Sequence, residues 1–558
     1  MEKGRLDSVS QCASEIIEIS EPAGEPSDTE KNNEDKASTT ADSSVFNKET
    51  IEKKQLYLII FGLVMLYFVA ALDTTILATV YIDISSQYDD LTNGIWIITS
   101  YLLSTTAVQP LYGKFSDITG RLEACIASVL VFCLGSVLCA VSHSMTMLIA
   151  CRAVQGIGGG GLMAMVSVIL SDTTTERDRG KYTGFLAGSW GIASAIGPVL
   201  GGAIVENASW RIIFWINLPV CIPTIAVLYF VLKIPRPQGS VREKLRRIDF
   251  AGALVFQCCI IPILIAFAWG GQGYKWVSGR VLGTIGGGVV MGVLFIVIEW
   301  RVSPEPIVPL RLFRFRNVTA STLAHFFLGA CTYAPMMFIP SWELAVKHST
   351  EIKAGLHLIP MMCSMVISAA LSGILMTRTG RYRPFIWIGG AIIATGNTLL
   401  ILLDVDSNNG QRIGFIFLTG IGLGFTIQTM IIAAQCAVKG GDMAVITTLV
   451  LFARTLGGIF SLSILSSVFN NGLRTESAVL AAQYPQYATT IHNSISDQSI
   501  VSKARDIPDD LLMGLTTMFQ KTLHKVFIGL IPFSGLFVLS TLLFAHVDLN
   551  VKRKKTIK

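Results

Sequence analysis

Two ionisable residues stand inside long apolar runs. Asp73 lies in LDTTILATV, and Arg152 opens RAVQGIGGGGLMAMV. In hydrocarbon each charge is costly and by default functional, unless it serves only as a buried salt-bridge partner. Arg152 needs a partner or a water-filled cavity, and Asp73 is an acid that can answer it. An arginine beside a carboxylate favours its charged form, and protonating the acid releases the pair. After Arg152, the residues Gly156, Gly158 and Gly161 spell G-x-G-x-x-G, the letters of a dinucleotide-binding loop. The context argues against a nucleotide: no strand–turn–helix precedes the glycines, and no ribose-binding acid fits a βαβ unit about 20 residues on. Bare glycines suit close helix approach instead. No G-x-x-x-x-G-K-[ST] loop, H-E-x-x-H pair or nucleophile elbow occurs. Neither an ATP-driven pump nor an enzyme is indicated, and no nucleic-acid partner, cofactor or metal is expected.

The elements that must hold these charges are membrane helices. Of 558 residues, 51% are hydrophobic and 15% charged, against about a quarter charged in soluble domains. Mean hydropathy is +0.57. Between Leu56 and about residue 546 come some fourteen apolar runs of about 20 residues, each long enough to cross a bilayer. The expected class is an all-α polytopic membrane protein. Ten of the 11 cysteines lie in these runs and none has C-x-x-C spacing, so they read as small apolar residues.

Lys and Arg crowd the even-to-odd connections, among them Lys114, Arg121, Arg177, Lys181, Arg242, Arg314 and Arg381. The short odd-to-even connections hold few, such as Lys275, Arg280 and Lys347. The first set is therefore expected in the cytoplasm, and with an even span count both termini are too. Residues 1–54 read as a disordered cytoplasmic tail without a secretory leader, and 548–558 as a basic cytoplasmic tail. The polar segment 470–525 reads as external, a plain surface loop in preference to a lumenal lid. Asn207 heads a formal glycosylation sequon, but its loop is too short for modification to be expected.

An internal repeat organises the spans. GKFSDITGR (Gly113 to Arg121) and GILMTRTGR (Gly373 to Arg381) share Gly, Gly and Arg at the same offsets. Equal placement within two halves gives a six-helix bundle at 55–235, an inserted helix pair 7–8 within 236–305, and a second six-helix bundle at 306–547. Two such bundles related about the membrane normal are the plan of a rocking transporter, with its site between the halves. Charged residues concentrate in the first half: Asp117 stands where the second has Thr377, and Arg152 where it has Ile416.

These motifs resemble the major facilitator superfamily, and within it the fourteen-span drug:proton antiporters common in fungi, including toxin and multidrug efflux types. The resemblance spans roughly residues 56–546. Asp73 sits in the family's span-1 L-D-x-T motif, which implies a role in proton coupling. The usual A-L-P that follows is replaced by Val80-Tyr81-Ile82. Gly113, Asp117, Gly120 and Arg121 are similar to its loop 2–3 signature, which implies a cytoplasmic latch in which Asp117 meets an arginine or a helix N-terminus. Arg152, Gln155, Gly156 and Gly158 match its span-4 motif. Gly191, Gly197, Pro198, Gly201 and Gly202 resemble its span-5 antiporter motif, which implies export, with Pro198 bending the helix and the glycines admitting the opposite half.

Trp96, Tyr101, Gln109 and Arg454 occupy positions where the family places such residues, and Arg454 can answer Asp117 or a substrate anion. With them, His325, Glu343 and Gln428 are candidate cavity residues. For His325 and Gln428 helix-to-helix hydrogen bonding is the alternative, and for Glu343 a solvated interfacial position. The resemblance implies a proton-coupled efflux transporter of amphiphilic organic compounds, such as drugs, toxins or fungal secondary metabolites. Its expected partners are a small molecule, protons and the bilayer, and it is expected to be a monomer in the plasma membrane. Alternatives on the same fold are a vacuolar basic amino-acid carrier, a siderophore carrier and a non-transporting membrane receptor.

Overall fold

The computed structural model describes residues 52–88, 90, 94, 96–174, 179–232, 249–272, 274–301, 306–438, 442–491 and 508–546. The terminal tails expected from the sequence lie outside this description, except for residues 52–54.

Among the described residues fourteen long helices follow in order: α1 Lys53–Gln87, α2 Trp96–Thr119, α3 Arg121–Ala140, α4 Met145–Thr173, α5 Arg179–Asn207, α6 Asn217–Val231, α7 Phe250–Gln272 and α8 Gly279–Arg301. Then come α9 Arg316–Ala345, α10 Ile359–Thr379, α11 Arg383–Leu399, α12 Asn409–Gln435, α13 Met443–Gln483 and α14 Asp509–Leu542. Thirteen helical spans among the described residues are long and apolar enough to cross a membrane. The exception is α2, whose apolar character is diluted by Ser100, Thr105, Thr106, Gln109 and Ser116, all turned inward and buried. The outer surface of the helices exposes large apolar side chains instead, as at Phe230, Leu254 and Val290.

Glycines set the helix spacing, and they do so twice. A Cβ on Gly156 would lie 2.5 Å from the Tyr101 carbonyl of α2, and one on Gly160 2.4 Å from that of Thr105. On Gly158 it would lie 2.2 Å from the Phe132 nitrogen of α3. In the second half Gly420 and Gly424 press on α10 at Met361 and Met365, and Gly422 on α11 at Ile393. So α4 nests between α2 and α3 as α12 nests between α10 and α11. The G-x-G-x-x-G letters are a helix-packing face. The repeated loops agree: among the described residues the glycines with positive φ are Gly120 (121°) and Gly380 (68°). Each makes the turn its loop needs, at the same place in both copies.

Across the halves, α2 packs on α13 and α5 on α10. The hairpin α7–α8 leans on that seam: Gln257 donates to the Ala107 carbonyl of α2 at 3.0 Å, and Trp276 to Ser467 of α13 at 3.0 Å. One expectation fails. Much of 470–525 is helix, not loop. Helix α13 runs 41 residues, about 60 Å at 1.5 Å per residue, roughly twice the hydrocarbon thickness. Its far end stays helical because Leu473, Leu480, Leu511, Leu515 and Phe519 bury one another between α13 and α14. That apolar spacing was hidden among polar letters.

Candidate functional site

Asp73 and Arg152 meet as a buried pair. The Arg152 Nη1 donates to Asp73 Oδ2 at 2.7 Å, and both side chains are essentially unexposed. The other carboxylate oxygen accepts from Gln155 Nε2 at 2.8 Å and from Asn217 Nδ2 at 3.0 Å. Ser136 Oγ accepts from the same two amides, at 2.9 and 3.1 Å. Arg152 also donates through Nε to the Ile97 carbonyl at 3.0 Å and through Nη1 to Gln155 Oε1 at 2.6 Å. The hub thus joins α1, α2, α3, α4 and α6. Burying two charges costs several kcal/mol per ion, and only such complete hydrogen bonding offsets it. Sequence reading paired Asp73 with Arg152 but missed Ser136, which carries no signal in a run of small residues.

The second half builds the same hub without charge. On α9, α11, α12 and α14, Asn397 donates to Ser534 at 3.1 Å and Thr419 to Asn397 at 3.4 Å. Cys331 lies 3.5 Å from Ser534. These helices are the repeat counterparts of α1, α3, α4 and α6. Among the described residues the second hub therefore contains no carboxylate, whereas the first contains Asp73.

Between the halves lies a cavity of about 130 Å³, continuous in its lining with a smaller one of about 60 Å³. Tyr67, Trp190, Tyr333 and Arg454 border both. Gln428 lines the larger one, together with a methionine group: Met336, Met361, Met362 and Met365. Thr74, Tyr101 and Gln109 line the smaller. Tyr101 is the physical link to the hub, because the Arg152 guanidinium stacks 4.3 Å from its ring centre. One side chain separates the cavity from the ion pair.

The loop 2–3 residues form an ion-pair network within the first half. Arg121 reaches Asp117 at 2.5 Å and Asp172 of α4 at 2.8 Å, and donates to Ser116 at 2.7 Å. Asp117 thus meets Arg121, whereas Arg454 faces the cavity. Gly113, one turn away, lies flush on the other half: a Cβ there would sit 2.2 Å from Thr448 Oγ1 of α13. Arg179 adds a cross-link that the sequence did not reveal. It donates to Gln435 of α12 and, at 2.7 Å, to the Ser171 carbonyl, while Gln435 donates to Thr447 of α13 at 2.7 Å.

Other candidates fall elsewhere. Glu343 is 1% exposed and lies outside both cavities. It is held by Ser349 at 3.2 Å, Arg412 at 3.3 Å and His357 at 3.6 Å, so it is neither solvated nor a cavity residue. His325 is buried against Ser321 of its own helix. Trp96 packs on an apolar cluster with Phe256 and Phe452. In the span-5 motif, Gly191 does admit the opposite half, at Met362. Gly197 instead packs on Thr75 of α1, in its own half, and Gly202 faces open space. Gly201 is buried and Pro198 lies within the unbroken helix α5, its side chain outside the described part. Asn207 ends α5 with its amide donating to Ala203 at 2.9 Å. No cluster of metal-ligating side chains occurs among the described residues.

Residues 63–462 match the family model of the Major Facilitator Superfamily. The chain is 33% identical over 423 residues to the efflux pump FUS6 of Gibberella moniliformis, covering 75% of this chain and 74% of that protein. It is 31% identical over 527 residues to the multidrug transporter protein MdtP of Bacillus subtilis, covering 91% and 96%. Among solved structures it resembles the human organic anion transporter MFSD10 with a TM-score of 0.56 at 13% identity, over 88% of this chain and 99% of that one. At that identity the likeness concerns the fold alone. The repeat, the buried hub and the family match converge: this chain is a multi-pass membrane protein belonging to the major facilitator superfamily.

Proposed function

We propose that this chain is a proton-coupled exporter of amphiphilic organic compounds, working as a monomer in the plasma membrane with both termini in the cytoplasm. The observation that carries the reading is the Asp73–Arg152 pair, buried in one half only and one aromatic ring from a cavity between the halves. The names of the relatives, an efflux pump and a multidrug transporter, point the same way. Protonation of Asp73 discharges the acid. Arg152 is then left buried without a counter-charge, a state that favours rearrangement of the helices around it. A proton moving down a membrane potential supplies about 2.3 kcal/mol per 100 mV. A basic amino-acid carrier is disfavoured, because among the described residues no carboxylate lines either cavity.

The test is accumulation of a panel of fluorescent amphiphiles in cells expressing the chain. Lower accumulation that a protonophore abolishes is the expected result. Export that persists undiminished under the protonophore contradicts proton coupling.

The Arg121 network affects both rate and folding. Arg121, Asp117 and Asp172 are only 15–23% exposed, so removing the arginine costs more than the roughly 1 kcal/mol of a surface pair and less than the about 3–5 kcal/mol of a fully buried one. Arg121→Gln is expected to slow export severalfold, up to roughly tenfold, and to lower the melting temperature less than Asp73→Asn does, because its partners keep some contact with water. Initial export rate and thermal melting of the purified variant check both halves of that statement.

A further inference from the structure

The charges around the cavity are one-sided. Among the described residues lining its two parts, Arg179 and Arg454 are cationic and none is a carboxylate. Asp73 does not balance them. Its oxygens are occupied by Arg152, Gln155 and Asn217, and it lies behind Tyr101. Arg179 is engaged with Gln435 and the Ser171 carbonyl. Arg454 differs: it forms no ion pair among the described residues, and its Nε finds no hydrogen-bond partner. A guanidinium facing a space walled by Tyr67, Trp190, Tyr333, Met336, Met362 and Leu451 sits where water screens it poorly.

We propose that the cavity takes an aromatic organic anion, whose acidic group is held by Arg454. This rests on the reading of the cavity as the transport site. The guanidinium offers a planar, forked donor set that matches a carboxylate, sulfonate or phenolate. The ring of such a molecule meets Tyr67 and Trp190, whose own centroids lie 5.6 Å apart at 51°, and aromatic faces and edges attract in such tilted arrangements. The methionines opposite are flexible and polarisable, so they fit rings of differing outline. A cation of the same shape meets the positive charge of Arg454 and, among the described lining residues, no negative one. The site therefore selects by charge first and by outline second.

The experiment uses the full chain in lipid nanodiscs and three probes on one skeleton: 2-naphthoate, its primary amide and 2-naphthylmethylammonium. Binding is read by equilibrium dialysis. The expected order is naphthoate tightest, then the amide, with the ammonium weakest. Arg454→Gln is expected to weaken naphthoate binding at least tenfold and to leave the amide within about twofold. Arg454→Lys, which keeps the charge, is expected to restore most of the difference. The proposal is overturned if the ammonium binds as well as naphthoate, if Arg454→Gln weakens all three alike, or if naphthoate fails to bind at millimolar concentration. Export of the same probes from cells separates the two readings. Charge-selective binding without export keeps the site assignment and removes the exporter. Export that favours the ammonium keeps the exporter and removes the anion site.

Discussion

Asp73→Asn is expected to abolish proton-driven export, by at least about a hundredfold, the rate equivalent of roughly 2.7 kcal/mol. The amide keeps the shape of the carboxylate and can still accept a hydrogen bond, but it cannot carry the charge or the proton. It also leaves Arg152 buried with its carbonyl and amide partners and no counter-ion. Breaking one side of a buried pair costs about 3–5 kcal/mol, so the variant should also melt lower than the parent. A purely structural pair and a coupling pair make the same prediction to this point. The double variant Asp73→Asn/Arg152→Gln distinguishes them. Its hub contains no charge, so stability should largely return. Export should not, because the protonatable group is gone. Recovery of both would assign the pair to folding alone. Melting of the purified variants and export at matched surface expression are the two readouts.

Gly158→Ala is expected to deplete folded protein, whereas Gly202→Ala should pass unnoticed. Both glycines belong to motifs that resemble the family's, and their letters give no reason to treat them differently. Their surroundings do. A methyl group on Gly158 would sit 2.2 Å from the Phe132 nitrogen and 2.5 Å from its Cα. Backbone cannot rotate out of the way, so α3 and α4 must part. Overpacking of this kind costs about 1–3 kcal/mol or more. The separation also opens the bonds between Gln155 and Ser136, and so reaches the hub. A methyl group on Gly202 meets nothing within 4 Å, and the expected change is within about 0.5 kcal/mol. Monodisperse yield after detergent extraction, followed by size-exclusion chromatography of a fluorescently tagged chain, measures both. Equal yields for the two variants would contradict the packing account.

What could be read from the letters follows from how polarity is written in a membrane chain. Asp73 and Arg152 stand out because apolar neighbours make any charge conspicuous, and their pairing follows from its cost. The repeat was legible because Gly120 and Gly380 are demanded by backbone geometry, whatever surrounds them. The cavity was less legible. Its methionines, Tyr67, Tyr333 and Trp190 have the same composition as lipid-facing and helix-packing surface, so nothing marks them as facing inward. Tyr101, Gln109 and Arg454 were singled out by the positions they share with the family, and Gln428 as a polar exception in an apolar run. Glu343 misled for the opposite reason. Its place near a helix end suggested water, but Arg412, from the start of α12, closes over it. Asp172 escaped notice although it is an acid at the end of an apolar helix, a signal that could have paired it with Arg121. The long ends of α13 and α14 were hidden because their apolar residues recur at helical spacing inside a stretch that is polar on average.

Proton coupling through Asp73 is tested most directly with the purified chain in proteoliposomes. A compound chosen from the exported panel is placed outside vesicles whose interior is acid, and its accumulation is followed. The wild-type chain should accumulate the compound only while the pH difference lasts, and should alkalinise the interior as it does so. Asp73→Asn should do neither. Accumulation by the wild type after the gradient is collapsed, or gradient-driven accumulation by Asp73→Asn equal to the wild type, would contradict the account.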